Sequence, residues 1–390
     1  MPSYTHLGEL PKKRHTQYKR HKEDSFLQEG LYYEHVITVK GFDRAYSVLY
    51  HLRPPTRIKH IETIEQLDLS STENSIRPHH LRSQNLSAQG DPISGRVPFT
   101  FNEDVIISRA KPSQQQDTLY RNAAATEIIF FAKGQGIMES PFGKVPYKTN
   151  DYLVIPQGIT YRLISDNINA EDQLIIESLE HVELPKRYIN PDGQLKLGAP
   201  YYERDFHSPQ ELITLDEEKD TDILVKENQL LSKITYAHHP FDVIAWDGFV
   251  YPYTFNALDF EALTGTIHLP PPFQQTFETP GFVICNFVPR HLDHHPDAIK
   301  IPYAHSNVMM DEMLFYASGD FGSRKGIDAG SITLHPRALT HGPHPGTIKA
   351  SEASNYTNEL AVMVDTVKKL QLTPQAMAHD VADYSLSWLE

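Results

Sequence analysis

A short stretch near the C-terminal end of the sequence, residues 302–346, concentrates histidine and carboxylate side chains that can bind a metal. Apolar runs in this stretch alternate with turn residues, a pattern that predicts short strands joined by tight turns. Its candidate ligands are His305, Asp311, Glu312, His335, His341 and His344. Two histidines and one carboxylate on such strands form the donor set of a non-haem Fe(II) site, which leaves coordination positions open for substrate and dioxygen. We predict that His305, Glu312 and His341 bind the metal.

The sequence also contains an internal repeat, a feature that constrains the fold. The segment TEIIFFAKGQG, residues 126–136, resembles DEMLFYASGDF, residues 311–321, and in each a glycine follows seven residues after the glutamate. The second copy has His305, Glu312 and His341 where the first has Tyr120, Glu127 and Tyr161. Tyrosines at those positions disfavour a divalent metal site, so we expect one scaffolding copy and one metal-bearing copy.

The choice of ligands within the second copy follows from strand geometry. Neighbouring side chains on a strand point to opposite faces, so Asp311 and Glu312 cannot both face the histidines. The repeat favours Glu312, and Asp311 remains the alternative. His344 competes with His341, but the Pro-Gly pair that follows it indicates a loop.

Other histidines have separate interpretations. His335 lies in TLHPR and is a candidate for contact with a substrate or with a ligand residue. The cluster HLDHHPD, residues 291–297, lies in a proline-containing irregular context, which favours an exposed loop. The same interpretation is applied to His238 and His239, which precede a proline.

The composition predicts a mainly β protein. The chain has 28 prolines and 20 glycines in 390 residues, which disfavours long helices and fits many short strands. With the repeat, this predicts two β units and an irregular N-terminal extension. We assign residues 1–232 to an N-terminal region with a metal-free unit at about 99–180, and residues 233–390 to the metal-bearing unit.

The charge and the single cysteine restrict the class of partner. The net charge is −14 and no long Lys/Arg run occurs, which argues against a nucleic-acid or anionic-membrane partner. Cys285 is the only cysteine, so an intrachain disulfide and a cysteine-rich zinc site are excluded. No signal peptide or long apolar span is evident, and we expect a cytoplasmic location.

Several motifs resemble those of the homogentisate 1,2-dioxygenase family over nearly the whole chain. They are GELPKKRHTQ (8–17), YHLRPPT (50–56), DYLVIPQGITYR (151–162), GAPYYERDF (198–206), WDGFVYPYTFN (246–256), HLPPPFQQTFE (268–278), NFVPR (286–290), PYAHSN (302–307) and HGPHPG (341–346). The resemblance implies two cupin jelly-roll units and an Fe(II) enzyme that cleaves the ring of homogentisate, with dioxygen, to maleylacetoacetate in tyrosine and phenylalanine breakdown. It also implies a homo-oligomer, a trimer or a hexamer.

The resemblance implies roles for individual residues. The family's metal ligands correspond to His305, Glu312 and His341, its catalytic histidine to His268, and a further active-site histidine to His335.

Two departures from the family pattern concern the ligands and the substrate. Eukaryotic members have one residue fewer between the first histidine and the glutamate, which keeps Asp311 open. A family tyrosine near the substrate corresponds to Phe321, and a phenyl ring cannot donate a hydrogen bond. The substrate contacts assigned here are Phe321, Arg324 and His341, with Lys325 as a second candidate for the carboxylate. Two other functions stay open, a metal cupin enzyme acting on another hydroxylated aromatic acid or as an isomerase, and a non-catalytic two-cupin binding protein.

Overall fold

Strands dominate the computed structural model, which describes residues 3–20, 30–72 and 76–389. The strands of these residues are, in chain order, β1 Thr5–Gly8, β2 Tyr33–Thr38, β3 Tyr46–His51, β4 Ile58–Gln66, β5 His79–Leu81, β6 Val97–Phe101, β7 Val105–Ala110, β8 Leu119–Asn122, β9 Thr126–Lys133, β10 Gly136–Ser140, β11 Gly143–Tyr147, β12 Asp151–Ile155, β13 Thr160–Ser165, β14 Asp172–Ser178, β15 Phe206–His207, β16 Thr221–Glu227, β17 Leu230–Tyr236, β18 Val243–Gly248, β19 Tyr253–Asn256, β20 Gln275–Glu278, β21 Phe282–Phe287, β22 Arg290–His291, β23 Asp311–Ser318, β24 Ile332–His335, β25 Tyr356–Thr357, β26 Leu360–Thr366 and β27 Gln371–Leu372. Two short α-helices accompany them, α1 Thr347–Ser351 and α2 Pro374–Met377. The predicted mainly β fold with two β units is confirmed.

The N-terminal unit consists of two sheets that share one apolar core. One sheet has the order β11-β10-β13-β8-β16-β17-β4, and the other has the order β15-β19-β12-β9-β14-β7-β6-β27. The central strands β9 and β14 are nearly continuous buried runs, TEIIFFAK and DQLIIES, because side chains on both of their faces lie inside the protein.

The C-terminal unit is a six-stranded sheet with the order β20-β21-β26-β23-β24-β5. Its central strands, β23 and β26, are again almost entirely buried. The two units exchange edge strands, since β5 comes from the N-terminal region while β27 joins the N-terminal sheet. Their cores are in contact, with the rings of Phe130 and Phe315 6.2 Å apart.

Strands also form in the N-terminal extension, which the sequence predicted to be irregular. A four-stranded sheet has the order β1-β18-β3-β2, and the fully exposed β4 pairs with β17 as an edge strand. The assigned boundary at residue 232/233 lies within β17, and the following strands β18 and β19 pair with β3 and β12 of the N-terminal half. Strand pairing with the N-terminal sheets therefore continues to Asn256. Neither α-helix of the described residues has the length or hydropathy of a membrane-spanning helix.

Candidate metal centre

The structure brings three of the predicted residues together. His305, Glu312 and His341 each offer a ligand atom, and these atoms all lie within 4.8 Å of one another. His305 and His341 face each other in an antiparallel bridge whose two backbone hydrogen bonds measure 2.8 and 2.9 Å. Glu312 enters from β23, with Oε2 3.8 Å from His305 Nε2 and Oε1 3.5 Å from His341 Nε2. The chain thus places two imidazoles and one carboxylate around a single point.

Backbone carbonyls orient both imidazoles. His305 Nδ1 lies 3.2 Å from the carbonyl oxygen of Tyr303, and His341 Nδ1 lies 3.0 Å from that of Leu339. With Nδ1–H donating to a carbonyl, each Nε2 keeps a lone pair for a metal, the usual arrangement of ligand histidines. The Nε2 of His341 is buried and has no hydrogen-bond partner among the described residues. This donor set fits a divalent metal ion bound by two histidines and one carboxylate.

Three neighbouring imidazoles keep Glu312 ionised although it is buried. Burial alone would raise its pKa, but the adjacent side chains of His305, His335 and His341 hold the pKa well below its usual value. His335 contributes through Nδ1, which lies 2.7 Å from Glu312 Oε1. Its ring also stacks on His341, with the centroids 4.5 Å apart. Burial lowers the pKa of His335 to about 4, so this histidine is neutral at physiological pH and supports two of the three candidate ligands.

The alternatives to these ligands have other contacts. Asp311 faces away from the histidines and accepts hydrogen bonds from the backbone N–H groups of Arg337 at 2.9 Å and Leu370 at 2.7 Å. His344 accepts a hydrogen bond at Nδ1 from the backbone N–H of Lys325, 2.8 Å away. Both residues therefore connect segments of the backbone around the site.

A cavity of about 1080 Å³ opens beside these residues and is lined by His305 and Glu312. His268 lines the same cavity, and its Nδ1 lies 3.4 Å from Asp293 Oδ2. The ring of Tyr303 contacts both histidines, with its centroid 5.1 Å from His268 and 6.2 Å from His305. The structure thus places the predicted catalytic histidine on the wall of the cavity that contains the candidate ligands.

The residues assigned to the substrate lie in different places. Arg324 lines the cavity, and its guanidinium donates to the carbonyl of Gly342, the residue after His341. Phe321 packs 4.7 Å from the ring of Tyr316 in a small apolar cluster and is not a lining residue. Tyr316 does line the cavity, so a phenol reaches this wall from β23 although Phe321 does not.

Three residues at this site were not predicted from the sequence. Asp293 belongs to the cluster expected to be an exposed loop; its three histidines are exposed, but Asp293 itself faces His268. Asp365 lies opposite Glu312 in β26, where burial raises its pKa, and its Oδ1 has no hydrogen-bond partner among the described residues. A lone aspartate in the apolar run LAVMVDT was the available signal. Trp388 donates from its indole N–H to the carbonyl of Gly342 at 3.1 Å.

The expectation that His238 and His239 lie in an exposed loop was wrong. His238 is 1% exposed, and His239 is half-buried. His238 Nε2 lies 3.8 Å from the buried carboxylate of Asp242. Strand β17 ends at Tyr236, four residues before this proline, and the loop that follows contacts β3 through the 2.6 Å hydrogen bond between His51 and Asp242.

In the first copy of the repeat, Arg96 contacts the residues that correspond to the candidate metal ligands of the second copy. Tyr120 pairs with Tyr161 as His305 pairs with His341, which confirms the alignment of the two copies. Between them, the Arg96 guanidinium contacts the Glu127 carboxylate and donates to the Tyr161 hydroxyl at 2.9 Å. The guanidinium therefore supplies a permanent positive charge at the equivalent of the candidate metal position.

The sequence matches two models of one protein family. The model for the homogentisate 1,2-dioxygenase N-terminal region matches residues 44–257, and the model for the C-terminal region matches residues 268–390.

Individual proteins are similar to the chain over different lengths. A protein of Saccharolobus solfataricus, whose name refers to a dioxygenase without a substrate, is 39% identical over 393 residues, covering 100% of this chain and 99% of the relative. A homogentisate 1,2-dioxygenase of Legionella pneumophila is 27% identical over 324 residues, covering 76% of this chain and 75% of the relative. A solved cupin 2 conserved barrel domain protein of Leptotrichia buccalis is 9% identical with a TM-score of 0.36, covering 78% of this chain and 100% of the other.

Proposed function

Because this chain belongs to the homogentisate 1,2-dioxygenase family, we propose that it is an Fe(II) enzyme that opens the ring of homogentisate with dioxygen to give maleylacetoacetate. The observation that carries the proposal is the convergence of His305, Glu312 and His341 beside a cavity of about 1080 Å³. That volume is ample for a small aromatic acid.

The donor set suits Fe(II) because two imidazoles and one carboxylate leave coordination positions free. When bound by these three side chains, Fe(II) would bring substrate and dioxygen into one coordination sphere and allow electrons to pass between them. The protein orients the two histidine ligands through backbone carbonyls, that of Tyr303 for His305 and that of Leu339 for His341.

His268 is the residue proposed to accept a proton from a ring hydroxyl. Its Nδ1 faces Asp293 Oδ2 at 3.4 Å, so the Nδ1 proton is directed to that carboxylate and Nε2 is free to act as the base. Asp293 also stabilises the imidazolium that forms when Nε2 takes the proton. About a third of the His268 side chain is exposed, at 30%, which gives the proton a path back to solvent.

Arg324 and Tyr316 are proposed to hold the other end of the substrate. The Arg324 guanidinium lines the cavity, its Nε has no hydrogen-bond partner among the described residues, and an acetate carboxylate is its natural partner. Tyr316 lies four residues after Glu312 on the same strand face and adds a phenol to this wall. Substrate carboxylate at this end would direct the ring toward His305 and Glu312.

A second candidate is a dioxygenase that acts on another hydroxylated aromatic acid. Phe321 favours it, because this residue stands at the family's tyrosine position and packs on Tyr316 away from the cavity wall. Position 321 therefore lacks the phenol that the family pattern places near the substrate.

Oxygen uptake by anaerobically purified, Fe(II)-loaded protein tests the proposal. We expect consumption of one dioxygen per homogentisate, and little uptake with gentisate, protocatechuate or 4-hydroxyphenylacetate. Uptake with one of the other acids but not with homogentisate would favour the second candidate. Full iron loading without uptake on any of the four would contradict both and indicate a binding protein. His341→Ala is the control for uptake that does not depend on the site.

A further inference from the structure

A second cavity, of about 700 Å³, lies in the N-terminal half. It shares no lining residue with the cavity of the candidate metal centre. Its wall combines strands β2 and β3 of the N-terminal extension with β8 and β13 of the first β unit and the loop after β17. Nothing in the proposed reaction uses this cavity, although several of its polar side chains are buried.

A chain of three side chains ends at its wall. Asp242 is fully buried and accepts hydrogen bonds from His51 Nδ1 at 2.6 Å and from the backbone N–H of Arg53 at 2.8 Å. His51 Nε2 lies 3.2 Å from His35 Nδ1. Because Asp242 accepts from His51 Nδ1–H, the Nε2 of His51 is the acceptor for His35 Nδ1–H. The Nε2 of His35 is then left as a hydrogen-bond acceptor at the cavity.

The electrostatic surroundings keep His35 in this neutral form. Burial, together with the neighbouring His51 and Arg121, lowers the pKa of His35 to about 4. Near neutral pH, His35 therefore offers a lone pair to the cavity rather than a positive charge. A group that binds there must supply a hydrogen, as a hydroxyl does.

Arg121 supplies a positive charge to the same cavity. Its Nε donates to the Thr160 hydroxyl at 2.9 Å, and one terminal nitrogen lies 3.3 Å from the Tyr236 hydroxyl. Within the described part of the chain, no carboxylate lies at ion-pairing distance from this guanidinium. A partly buried guanidinium that has only neutral partners is suited to bind a carboxylate.

His238 adds an independent sign of a missing partner. The residue is 1% exposed and lines the cavity, and its Nδ1 has no hydrogen-bond partner among the residues described. Buried polar atoms are nearly always paired, so such an atom on a cavity wall points to a bound molecule. The apolar part of the wall, which includes Leu49, Phe142 and Val154, can accept a ring.

We propose that this cavity binds an aromatic hydroxycarboxylic acid, with the carboxylate on Arg121 and the hydroxyl donating to His35 Nε2. The ring lies against the apolar wall. The site is separate from the candidate metal centre and does not depend on its function.

Titration calorimetry on the metal-free full-length protein tests the site with benzoate and the three isomeric monohydroxybenzoates. We expect saturable binding, with at least one hydroxy isomer about tenfold tighter than benzoate. Arg121→Gln should weaken all four acids at least tenfold, whereas Arg162→Gln, whose side chain pairs with Glu139 and lines neither cavity, should leave this binding unchanged. Melting temperatures identify any variant that fails to fold.

His35→Phe provides a second test, and its result distinguishes ligand binding by His35 from a purely structural role of this residue. This variant removes the acceptor but keeps Arg121, so benzoate should still bind and the advantage of the hydroxy isomer should disappear. Absence of saturable binding in the wild type would overturn the proposal. So would unchanged binding in Arg121→Gln, or a hydroxyl advantage that persists without His35.

Discussion

The Arg96 guanidinium contacts the buried carboxylate of Glu127, the residue that the repeat makes equivalent to Glu312. Each β unit therefore buries one glutamate at the same position and compensates its charge differently. The first unit uses a permanent cation from its own chain. The second uses imidazole donors, which leave space and lone pairs for a metal ion. This difference explains how a duplicated scaffold forms one candidate metal site among the residues that the structure describes.

Replacing Arg96 by Met should destabilise the protein by about 3–5 kcal/mol near neutral pH, because it leaves a buried carboxylate without its partner. Chemical denaturation followed by circular dichroism measures the loss. Arg57→Met is the matched control, since Arg57 pairs with Glu218 on the surface, where such pairs contribute about 1 kcal/mol or less. Equal losses in the two variants would contradict the assigned role of Arg96.

The stability deficit of Arg96→Met should also depend on pH. Burial alone would raise the pKa of Glu127, but Arg96, Tyr161 and Asn122 hold it below its usual value. A carboxyl group with a lowered folded pKa stabilises the protein above its unfolded pKa, and this contribution disappears as pH falls through the folded pKa. Without Arg96, burial raises the pKa and the protonated form folds more readily. The gap between wild type and variant should therefore narrow from about pH 7 to about pH 4.

Mutagenesis should distinguish the roles of the two adjacent carboxylates of β23, Asp311 and Glu312. Asp311→Asn should cost about 1–3 kcal/mol of unfolding free energy and retain iron, because Asp311 accepts backbone hydrogen bonds from Arg337 and Leu370. Glu312→Gln should lose iron, since a neutral amide is a poorer ligand than a carboxylate. Iron content and melting temperature of both variants decide between the residues; loss of iron in Asp311→Asn with retention in Glu312→Gln would reverse the assignment.

His268→Asn should keep iron and lower kcat by about 10²–10⁴-fold, the usual contribution of a general base. Asp293→Asn should give a smaller loss, because it removes only the partner of His268 Nδ1. His294→Asn, an exposed histidine of the same loop, is the control and should retain activity. Wild-type kcat in His268→Asn would remove this residue from the chemistry.

Arg324→Gln should raise KM for homogentisate by about 10–100-fold if the guanidinium binds the substrate carboxylate. Hydroquinone, which carries the two ring hydroxyls without the acetate arm, provides the comparison. With hydroquinone, the variant and the wild type should have the same turnover, because this substrate has no carboxylate for Arg324 to bind. An equal loss on the two substrates would show instead that Arg324 acts only through the loop that contains Gly342.

The sequence contained enough to predict which three side chains converge at the candidate site. Strand alternation separated Asp311 from Glu312, and the repeat selected Glu312. The same repeat placed Tyr120 and Tyr161 at the histidine positions, and the register of the strands agrees with that alignment. The convergence of these side chains was predictable because it depends on the alternation of side chains along a strand and on spacing within one segment.

Residues that enter the sites from distant segments were not predictable in this way. Arg96 reaches Glu127 from 31 positions upstream, outside the aligned segments of the repeat. Asp365 reaches the cavity because β26 pairs with β23, and pairing partners are not encoded in the pattern of one strand. His238 was misjudged for the same reason, since its burial depends on Asp242 and β3 rather than on the proline that follows it.

Metal analysis of protein loaded anaerobically with Fe(II) tests the central assignment most directly. We expect about one iron per chain in the wild type and in Tyr161→Phe, which changes the equivalent position of the first copy. His341→Ala should fold and retain almost none. Wild-type iron content in folded His341→Ala would contradict a site formed by His305, Glu312 and His341.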